Sequence, residues 1–401
     1  MTATVQSPSP GPIAPPAKPN LLYRPEFRQA VYQILLVIAL IIGFWAIAHN
    51  VAVNLARQNI ASGFGFWTRT AGFDISQTLI EFDNQSTYGK AFWAGLMNTL
   101  LVAGLGIIFA TILGFLVGIG RLSSNWLIAK LATAYVEILR NLPLLLQLFF
   151  WYFAVLKNLP GPRESISLPG GASLNVRGLY LPAPVPESGF GYVLAAFGIG
   201  ILTSIAIAMW SKRRQLATGQ RFPVLWTSLA LIFLLPGAVY LVLGQPLGFE
   251  YPALRGFNFQ GGMAVQPEFM ALLVGLSTYT ASFIAEIVRA GIAGVPRGQR
   301  EAANAIGLSN GLTMRLVIIP QALRIIIPPL TSQYLNLAKN SSLAVAIGYP
   351  DFVSVFTGTV LNQTGQAVEV ILLTMLVFLT ISLLTSAFMN WFNKHIALVE
   401  R

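Results

Sequence analysis

Residues 291–309 read GIAGVPRGQREAANAIGLS and separate two long apolar stretches. Pro296 is suited to begin a helix, and residues 299–306 consist largely of helix-forming side chains. Gly307 can adopt the positive φ that ends a helix. A second short helix is expected directly after it, because apolar residues recur there at helical spacing. The segment 291–324 is therefore predicted to form a helix–turn–helix outside the membrane.

The composition places most of the chain in a lipid bilayer. Of 401 residues, 55% are apolar and only 10% are charged, whereas a soluble domain carries about 25% charged residues. The chain has no cysteine and only two histidines, His49 and His395, which lie far apart in sequence. We therefore expect no disulfide, no thiol nucleophile, no His-rich metal site and no histidine acid–base pair. We predict that this chain carries no metal site and no catalytic residue.

Eight stretches are long and apolar enough to cross a bilayer as helices, which takes about 20 residues. They are residues 31–48, 92–119, 134–157, 190–210, 223–243, 267–290, 328–347 and 368–391. The predicted fold class is an all-α integral membrane protein with about eight transmembrane helices. A cleaved signal peptide is the less favoured alternative for 31–48, because about thirty residues precede it.

Basic residues orient these helices. The short loop from Ser211 to Phe222 carries four of them, whereas the loop 348–367 carries none. Because cytoplasmic loops are enriched in lysine and arginine, this asymmetry places both termini in the cytoplasm. It also explains the net charge of +11 without nucleic acid as a partner. Residues 1–28 are proline-rich and are predicted to form a disordered cytoplasmic tail, and residues 29–401 to form the transmembrane domain.

The predicted hairpin carries an ordered motif: Glu301-Ala302-Ala303, then Gly307, then Pro320 after further apolar residues. This order resembles the EAA loop of ABC-importer membrane permeases. The resemblance implies that the hairpin contacts a separate ATPase through a coupling loop. Its residues are Arg300, Glu301, Ala302, Ala303, Gly307 and Pro320. Composition alone leaves an amphipathic hairpin on lipid headgroups as an equal alternative.

Further motifs resemble the polar amino acid family of these permeases, and most of all the general L-amino-acid importers. They lie at residues 135–149, 338–348, 361–367 and 389–392. The resemblance implies a type I ABC-importer permease core. An insertion at 158–266, which contains two of the predicted spans, departs from the short amino-acid permeases.

The resemblance also implies the partners of the chain. No Gly-x-x-x-x-Gly-Lys-Ser/Thr loop is present to bind ATP, so ATP is expected in separate ATP-binding subunits and no cofactor is expected on this chain. A second permease subunit, expected to be a different chain, would complete the pathway. A periplasmic amino-acid-binding protein would deliver the L-amino acid across a bacterial inner membrane. The alternative is a gradient-driven secondary amino-acid transporter, which would need an inverted repeat and buried titratable groups.

Two short ion pairs are predicted near the cytoplasmic ends of the spans. Glu137 and Arg140 are three residues apart on a helix, as are Glu286 and Arg289, so each pair can meet. They either neutralise each other locally or form a gate at the inner mouth of a pathway.

Polar residues in the sixth and seventh spans are candidates for the substrate pathway. They are Ser277, Thr278, Tyr279, Ser282, Ser332, Asn336, Lys339 and Asn340. The last four share one helical face, and a polar face with a cation lines either a cavity or a partner subunit rather than lipid. For the hydroxyl groups of the sixth span, ordinary helix packing is an open alternative. Pro143 and the pair Pro328-Pro329 predict kinks in their helices. For Pro328-Pro329, a helix end is an equal alternative.

Overall fold

The computed structural model describes residues 25–58 and 62–396, and the structural statements below concern this part of the chain. Most of the predicted tail of residues 1–28 lies outside it. Residues 25–28 already belong to the first helix.

The described chain folds mainly into α-helices. They are α1 (Pro25–Arg57), α2 (Tyr88–Gly120), α3 (Trp126–Asn141), α4 (Leu144–Phe149), α5 (Phe190–Thr218), α6 (Val224–Leu229), α7 (Leu235–Val242), α8 (Pro267–Ala293), α9 (Arg297–Ala305), α10 (Asn310–Thr313), α11 (Ile319–Asn340), α12 (Leu361–Thr364) and α13 (Ala367–Ile396). Turns of π-helix join α6 to α7 and α10 to α11. Seven helical units are long and apolar enough to cross a membrane, and a bent pair makes an eighth. The prediction of an integral membrane protein with about eight spans is confirmed.

The third predicted span, 134–157, is not one straight helix, because α3 and the helical segment that begins with α4 meet at an angle of 107°. Pro143 causes the break, since the residue before a proline is pushed out of the helical region. Leu142 accordingly has φ −95° and ψ 131°. The side-chain amide of Gln147 donates to the carbonyls of Leu139 (2.9 Å) and Leu142 (3.1 Å). This amide satisfies carbonyl groups that the interrupted helix leaves free.

The seventh span begins earlier than the predicted limit of residue 328. The helix is continuous from Asn310 to Ile347, a length of 38 residues. Pro328 and Pro329 lie inside α11 rather than at a helix end. Proline is tolerated within membrane helices because neighbouring helices and local adjustments satisfy the freed backbone groups. The predicted second helix of the hairpin is therefore the first part of this span.

Helices α2 and α8 form the centre of the bundle. A methyl group added at Gly114 of α2 would come within 2.6 Å of the Ile284 side chain, and one added at Gly118 within 2.8 Å of Val288. Small residues four positions apart allow two membrane helices to approach this closely. The contact fixes the end of α8 from which the 291–324 hairpin starts.

The predicted insertion 158–266 contains short strands on either side of a helical pair. The strands are β1 (Ile166–Leu168), β2 (Ala172–Asn175), β3 (Gly178–Leu181), β4 (Ala183–Pro186), β5 (Leu247–Glu250), β6 (Ala253–Arg255), β7 (Asn258–Gln260) and β8 (Met263–Val265). They pair antiparallel in the orders β1-β2-β3-β8, β4-β5 and β6-β7. Between β4 and β5, α5 packs closely on the π-helical turn between α6 and α7, where a methyl group at Gly200 would lie 2.4 Å from the Leu231 carbonyl oxygen. The strands were not predicted, because segments of three or four residues are too short to show alternation.

Candidate functional site

The hairpin between α8 and α11 is held by the backbone of its turn. Gly307 has φ +82°, as predicted. Its N–H donates to the Asn304 carbonyl (2.9 Å), and the N–H of Leu308 donates to the Ala303 carbonyl (3.1 Å). These two bonds form a Schellman motif, which needs a residue with positive φ after the helix. The turn therefore depends on glycine at position 307.

The outer surface of α9 is polar and accessible. Arg300, Glu301 and Ala302 are exposed, whereas Ala303 is only 3% exposed. Ala303 is therefore turned into the hairpin, and the hypothesis that it touches a partner directly does not fit this geometry. Pro320 lies in the first turn of α11, so the hairpin and the long span form one connected unit.

Residues 307–311 also have the Gly-x-Ser-x-Gly spacing of a hydrolase nucleophile elbow. Such an elbow lies between a strand and a helix. Here Ser309 lies between two helices and is exposed, and its hydroxyl group makes no hydrogen bond within the described chain. Among the described residues, no group of three or more His, Asp or Glu side chains could hold a metal ion.

Only one of the two predicted ion pairs forms. Glu286 accepts from Arg289 at 2.6 Å and also pairs with Arg121, the residue that follows α2. Glu137 and Arg140 do not pair; instead, the Arg140 guanidinium lies over the Phe283 ring at 5.2 Å from its centroid. That prediction is wrong because contact with an aromatic ring of α8 draws the arginine away from its own helix.

The hydroxyl groups of the sixth span are mostly engaged within α8. The Ser282 hydroxyl donates to the Tyr279 carbonyl (2.6 Å), and that of Thr278 donates to the Val274 carbonyl (2.7 Å). These bonds agree with the alternative that the hydroxyl groups of this span serve helix packing. The Ser277 hydroxyl is buried and has no partner among the described residues, so it is the one serine or threonine of this set without a backbone bond.

The four polar residues of the seventh span are differently placed. Ser332, Asn336 and Lys339 are exposed and Asn340 is half-buried. None of these side chains makes a hydrogen bond or ion pair with another described residue. A cation and three polar groups facing hydrocarbon would be costly. This face therefore needs a water-filled cavity or another subunit.

Comparison with known proteins decides the family. Residues 213–398 match the family described as "Binding-protein-dependent transport system inner membrane component". The general L-amino acid transport system permease protein AapQ of Rhizobium johnstonii is 58% identical over 382 residues, or 95% of each chain. The chain belongs to the amino-acid ABC transporter permeases. The permease is also 54% identical to the putative amino-acid ABC transporter permease protein YhdX of Escherichia coli, over 94% of this chain and 96% of that one.

A third relative is similar over nearly its whole length. It is the glutamate/glutamine/aspartate/asparagine transport system permease protein BztB of Rhodobacter capsulatus, 43% identical over 95% of this permease and 96% of that chain. Because almost all of both chains is aligned in each case, the insertion 158–266 is largely shared with these relatives. It is a feature of this group of permeases rather than of one chain.

The permease has a buried polar cluster at the end of the bundle opposite the hairpin, and the sequence pattern did not predict it. Asp351 is fully buried; its Oδ1 accepts from the Ser354 N–H (2.8 Å), and its Oδ2 has no partner among the described residues. Burial raises the pKa of Asp351 to about 7. The Asn98 amide donates to the Pro350 carbonyl (2.9 Å), which ties α2 to the same segment. The one sequence feature that could have predicted this cluster is the acidic residue Asp351, shortly after the predicted span 328–347.

A second polar contact lies near this end. The Tyr152 hydroxyl donates to Glu268 Oε1 (2.6 Å) at the start of α8, and Lys157 Nζ lies 3.6 Å from the same oxygen. The Lys157 ammonium also lies over the Tyr152 ring, 4.9 Å from its centroid. These contacts join the segment after α4 to α8.

Proposed function

We propose that this permease imports L-amino acids with the energy of ATP hydrolysed by separate ATP-binding subunits that dock on the hairpin. The proposal is supported by the names of its relatives and by one structural observation. The helix that carries the exposed polar face continues without interruption into the hairpin. A displacement of the hairpin is therefore passed to the residues that would line the pathway.

The accessible residues of α9 supply the docking surface. Arg300 and Glu301 offer charges for ion pairs, and the small side chain of Ala302 allows a partner backbone to approach. Gly307 and Pro320 act indirectly, because Gly307 forms the turn of the hairpin and Pro320 lies at the start of α11. Ala303 supports the hairpin from inside.

The polar face of α11 supplies the pathway. The Lys339 ammonium attracts the carboxylate of an amino acid, and Ser332, Asn336 and Asn340 offer hydrogen bonds. Of the α8 set, Ser277 is the best candidate to reach a substrate, because Thr278 and Ser282 already donate to backbone carbonyls. Tyr279 is a secondary candidate, and Glu286 with Arg289 and Arg121 would hold the inner mouth together.

The same face argues for a second permease subunit. A single chain would expose Lys339 to lipid, whereas two subunits facing each other enclose a polar cavity. We infer a different chain as the partner, by analogy with the family. A periplasmic binding protein would deliver the amino acid to the end of the bundle near Asp351, which puts the hairpin and both termini in the cytoplasm of a bacterial cell with an inner membrane. ATP is bound by the partner subunits, and no cofactor or nucleic acid is bound by this chain.

The test is transport by the assembly that co-purifies with the tagged permease in mild detergent. Recovery of ATP-binding subunits and a second permease chain is the first expected result. After reconstitution in liposomes, uptake of radiolabelled L-amino acids should require ATP and the binding protein and should survive ionophores that collapse ion gradients. Uptake that ignores ATP and is abolished by ionophores would instead establish a gradient-driven transporter.

A further inference from the structure

The helical pair within the insertion 158–266 has a strongly basic loop at one end, between α5 and α6. The last two turns of α5 and the loop together carry four cations, which are Lys212, Arg213, Arg214 and Arg221. No aspartate or glutamate occurs between Glu187 and Glu250. The charge of the loop is therefore not neutralised by acidic residues of the same helical pair.

The loop has a defined shape because one of these cations closes it. The Arg214 guanidinium lies over the Trp210 ring, 5.3 Å from its centroid, and donates to Gln220 Oε1 (2.8 Å). The Trp210 ring also packs edge-on against the Phe222 ring, with 5.5 Å between centroids. These contacts join the end of α5 to the chain that follows Gly219, whose φ is +70°. Arg214 is thus used within the loop.

The other three cations have no partner. Lys212, Arg213 and Arg221 are exposed, and none of their side chains forms a hydrogen bond or an ion pair with another described residue. Like charges this close in the chain repel each other. A negatively charged partner would therefore stabilise the loop.

Lipid surrounds this part of the molecule. Helix α5 packs on α6 and α7, but few residues of the pair are buried, and large apolar side chains such as Leu202 and Phe233 are exposed. Trp210 and Trp226, one on each side of the loop, are 50% and 73% exposed. Exposed tryptophans at the end of an apolar span lie at the level of the lipid headgroups. The three free cations, which follow Trp210 directly, then lie at the phosphates.

We propose that the loop 211–222 binds the headgroups of anionic phospholipids. Lys212, Arg213 and Arg221 donate to the phosphate oxygens, while Arg214 keeps the loop closed. Clusters of cations directly beyond a membrane helix attract anionic headgroups, and each cation contributes about fivefold to the affinity. The contact fixes the depth of the inserted helical pair in the membrane, and with it the position of the strands at the other end of the pair.

The proposal is tested with the purified permease assembly in nanodiscs and two photoreactive lipids. These are phosphatidylglycerol and phosphatidylcholine with the same diazirine-bearing acyl chain. After irradiation, labelled peptides are identified by mass spectrometry. We expect phosphatidylglycerol to label residues 205–228 about tenfold more than phosphatidylcholine does, because three cations contribute to the headgroup contact. At about 1 M salt the ratio should fall towards one, because charges are then screened beyond about 3 Å.

Two triple variants separate charge from shape. Lys212→Gln/Arg213→Gln/Arg221→Gln should reduce labelling by phosphatidylglycerol about tenfold and leave labelling by phosphatidylcholine unchanged. Lys212→Arg/Arg213→Lys/Arg221→Lys keeps all three charges and should keep the preference for phosphatidylglycerol. Arg214 stays in both variants, so that the loop remains closed.

A third triple variant controls for the net charge of the protein. It replaces three exposed cations near the ends of other helices, as Arg28→Gln/Lys130→Gln/Lys394→Gln. Labelling of residues 205–228 should not change in this variant. Circular dichroism and elution volume in detergent identify variants that fail to fold.

Three outcomes would overturn the proposal. The first is equal labelling by both lipids, and the second is an equal effect of the control and the neutral loop variant. The third is absence of lipid labelling in the assembly together with chemical cross-linking of Lys212 to an ATP-binding subunit, since the loop would then be a protein interface. The readout is lipid contact rather than uptake, so a failure here is distinct from a failure of the proposed import function.

Discussion

Arg121 pairs with Glu286 although 165 positions separate the two residues. The arginine follows the last turn of α2, and the glutamate lies on α8 one turn before Arg289, which binds the same carboxylate. This contact closes the α2–α8 helix pair at the end that carries the hairpin. It has no equivalent at Glu137, which forms no ion pair in the described structure.

The two glutamates provide a matched test of this ion cluster. Glu286→Gln leaves both arginines without a charged partner and should lower the free energy of unfolding by about 1–2 kcal/mol, because Glu286 is partly exposed. Glu137→Gln should have almost no effect. Thermal unfolding of the purified permease in detergent measures both, and equal losses of stability would contradict the assignment of the cluster to Glu286.

The hairpin should be sensitive to substitution of Gly307 and should tolerate substitution of Gly311. Gly307→Val forces a β-branched residue to positive φ, at a cost of about 1–2 kcal/mol, and should separate ATP hydrolysis from amino-acid uptake. Gly311 has no positive φ and no neighbour within 4 Å of an added methyl group, so Gly311→Val serves as the control. Uptake per ATP hydrolysed in liposomes is the measurement. Similar ratios for the two variants would show that the turn geometry does not matter for coupling.

Lys339 should act on substrate rather than on folding. Lys339→Met removes the cation of the exposed polar face and should raise the KM for uptake about tenfold or more, as expected for a lost charged hydrogen bond. Thermal stability should not fall, because the ammonium has no partner in the described chain. Lys90→Met, at another exposed lysine, is the control. An unchanged KM would remove Lys339 from the pathway.

Asp351 should make the stability of the permease depend on pH. The folded-state pKa of about 7 lies above the ordinary value of 3.8. Between these values the unfolded carboxyl group is ionised while the folded one keeps its proton, so stability falls as pH rises from about 4 to about 7 and then levels off. The full loss is on the order of 4 kcal/mol.

The variant Asp351→Asn imitates the protonated form and should remove most of this dependence. The melting temperature of the wild-type protein should fall between pH 5 and pH 8 (roughly the window set by the raised pKa), while that of the variant should stay nearly constant. Asp83→Asn is the control, because a hydrogen bond from the Ser86 hydroxyl lowers the pKa of the exposed Asp83 instead. A wild-type melting temperature that rises over this range would contradict the burial of a neutral Asp351.

Local features of the site could be predicted from sequence, and contacts between distant segments could not. Gly307 was predictable because a helix followed by glycine ends in few ways. Pro143 predicted a kink. Nothing in the sequence indicated that the Gln147 side-chain amide would bond to the carbonyl groups freed by that kink. Arg121 was missed because spacing along one helix reveals only partners three or four residues away. Ala303 was misplaced since a motif gives no indication of which side of a short helix faces inward.

The continuity of residues 310–347 has a mechanical consequence. A helix of this length is roughly 57 Å long, well beyond the roughly 30 Å of a bilayer core. Pivoted at one end, it would carry the other end through about 10 Å for a tilt of only about 10°. A small tilt imposed at the hairpin end therefore becomes a wide swing at the far mouth.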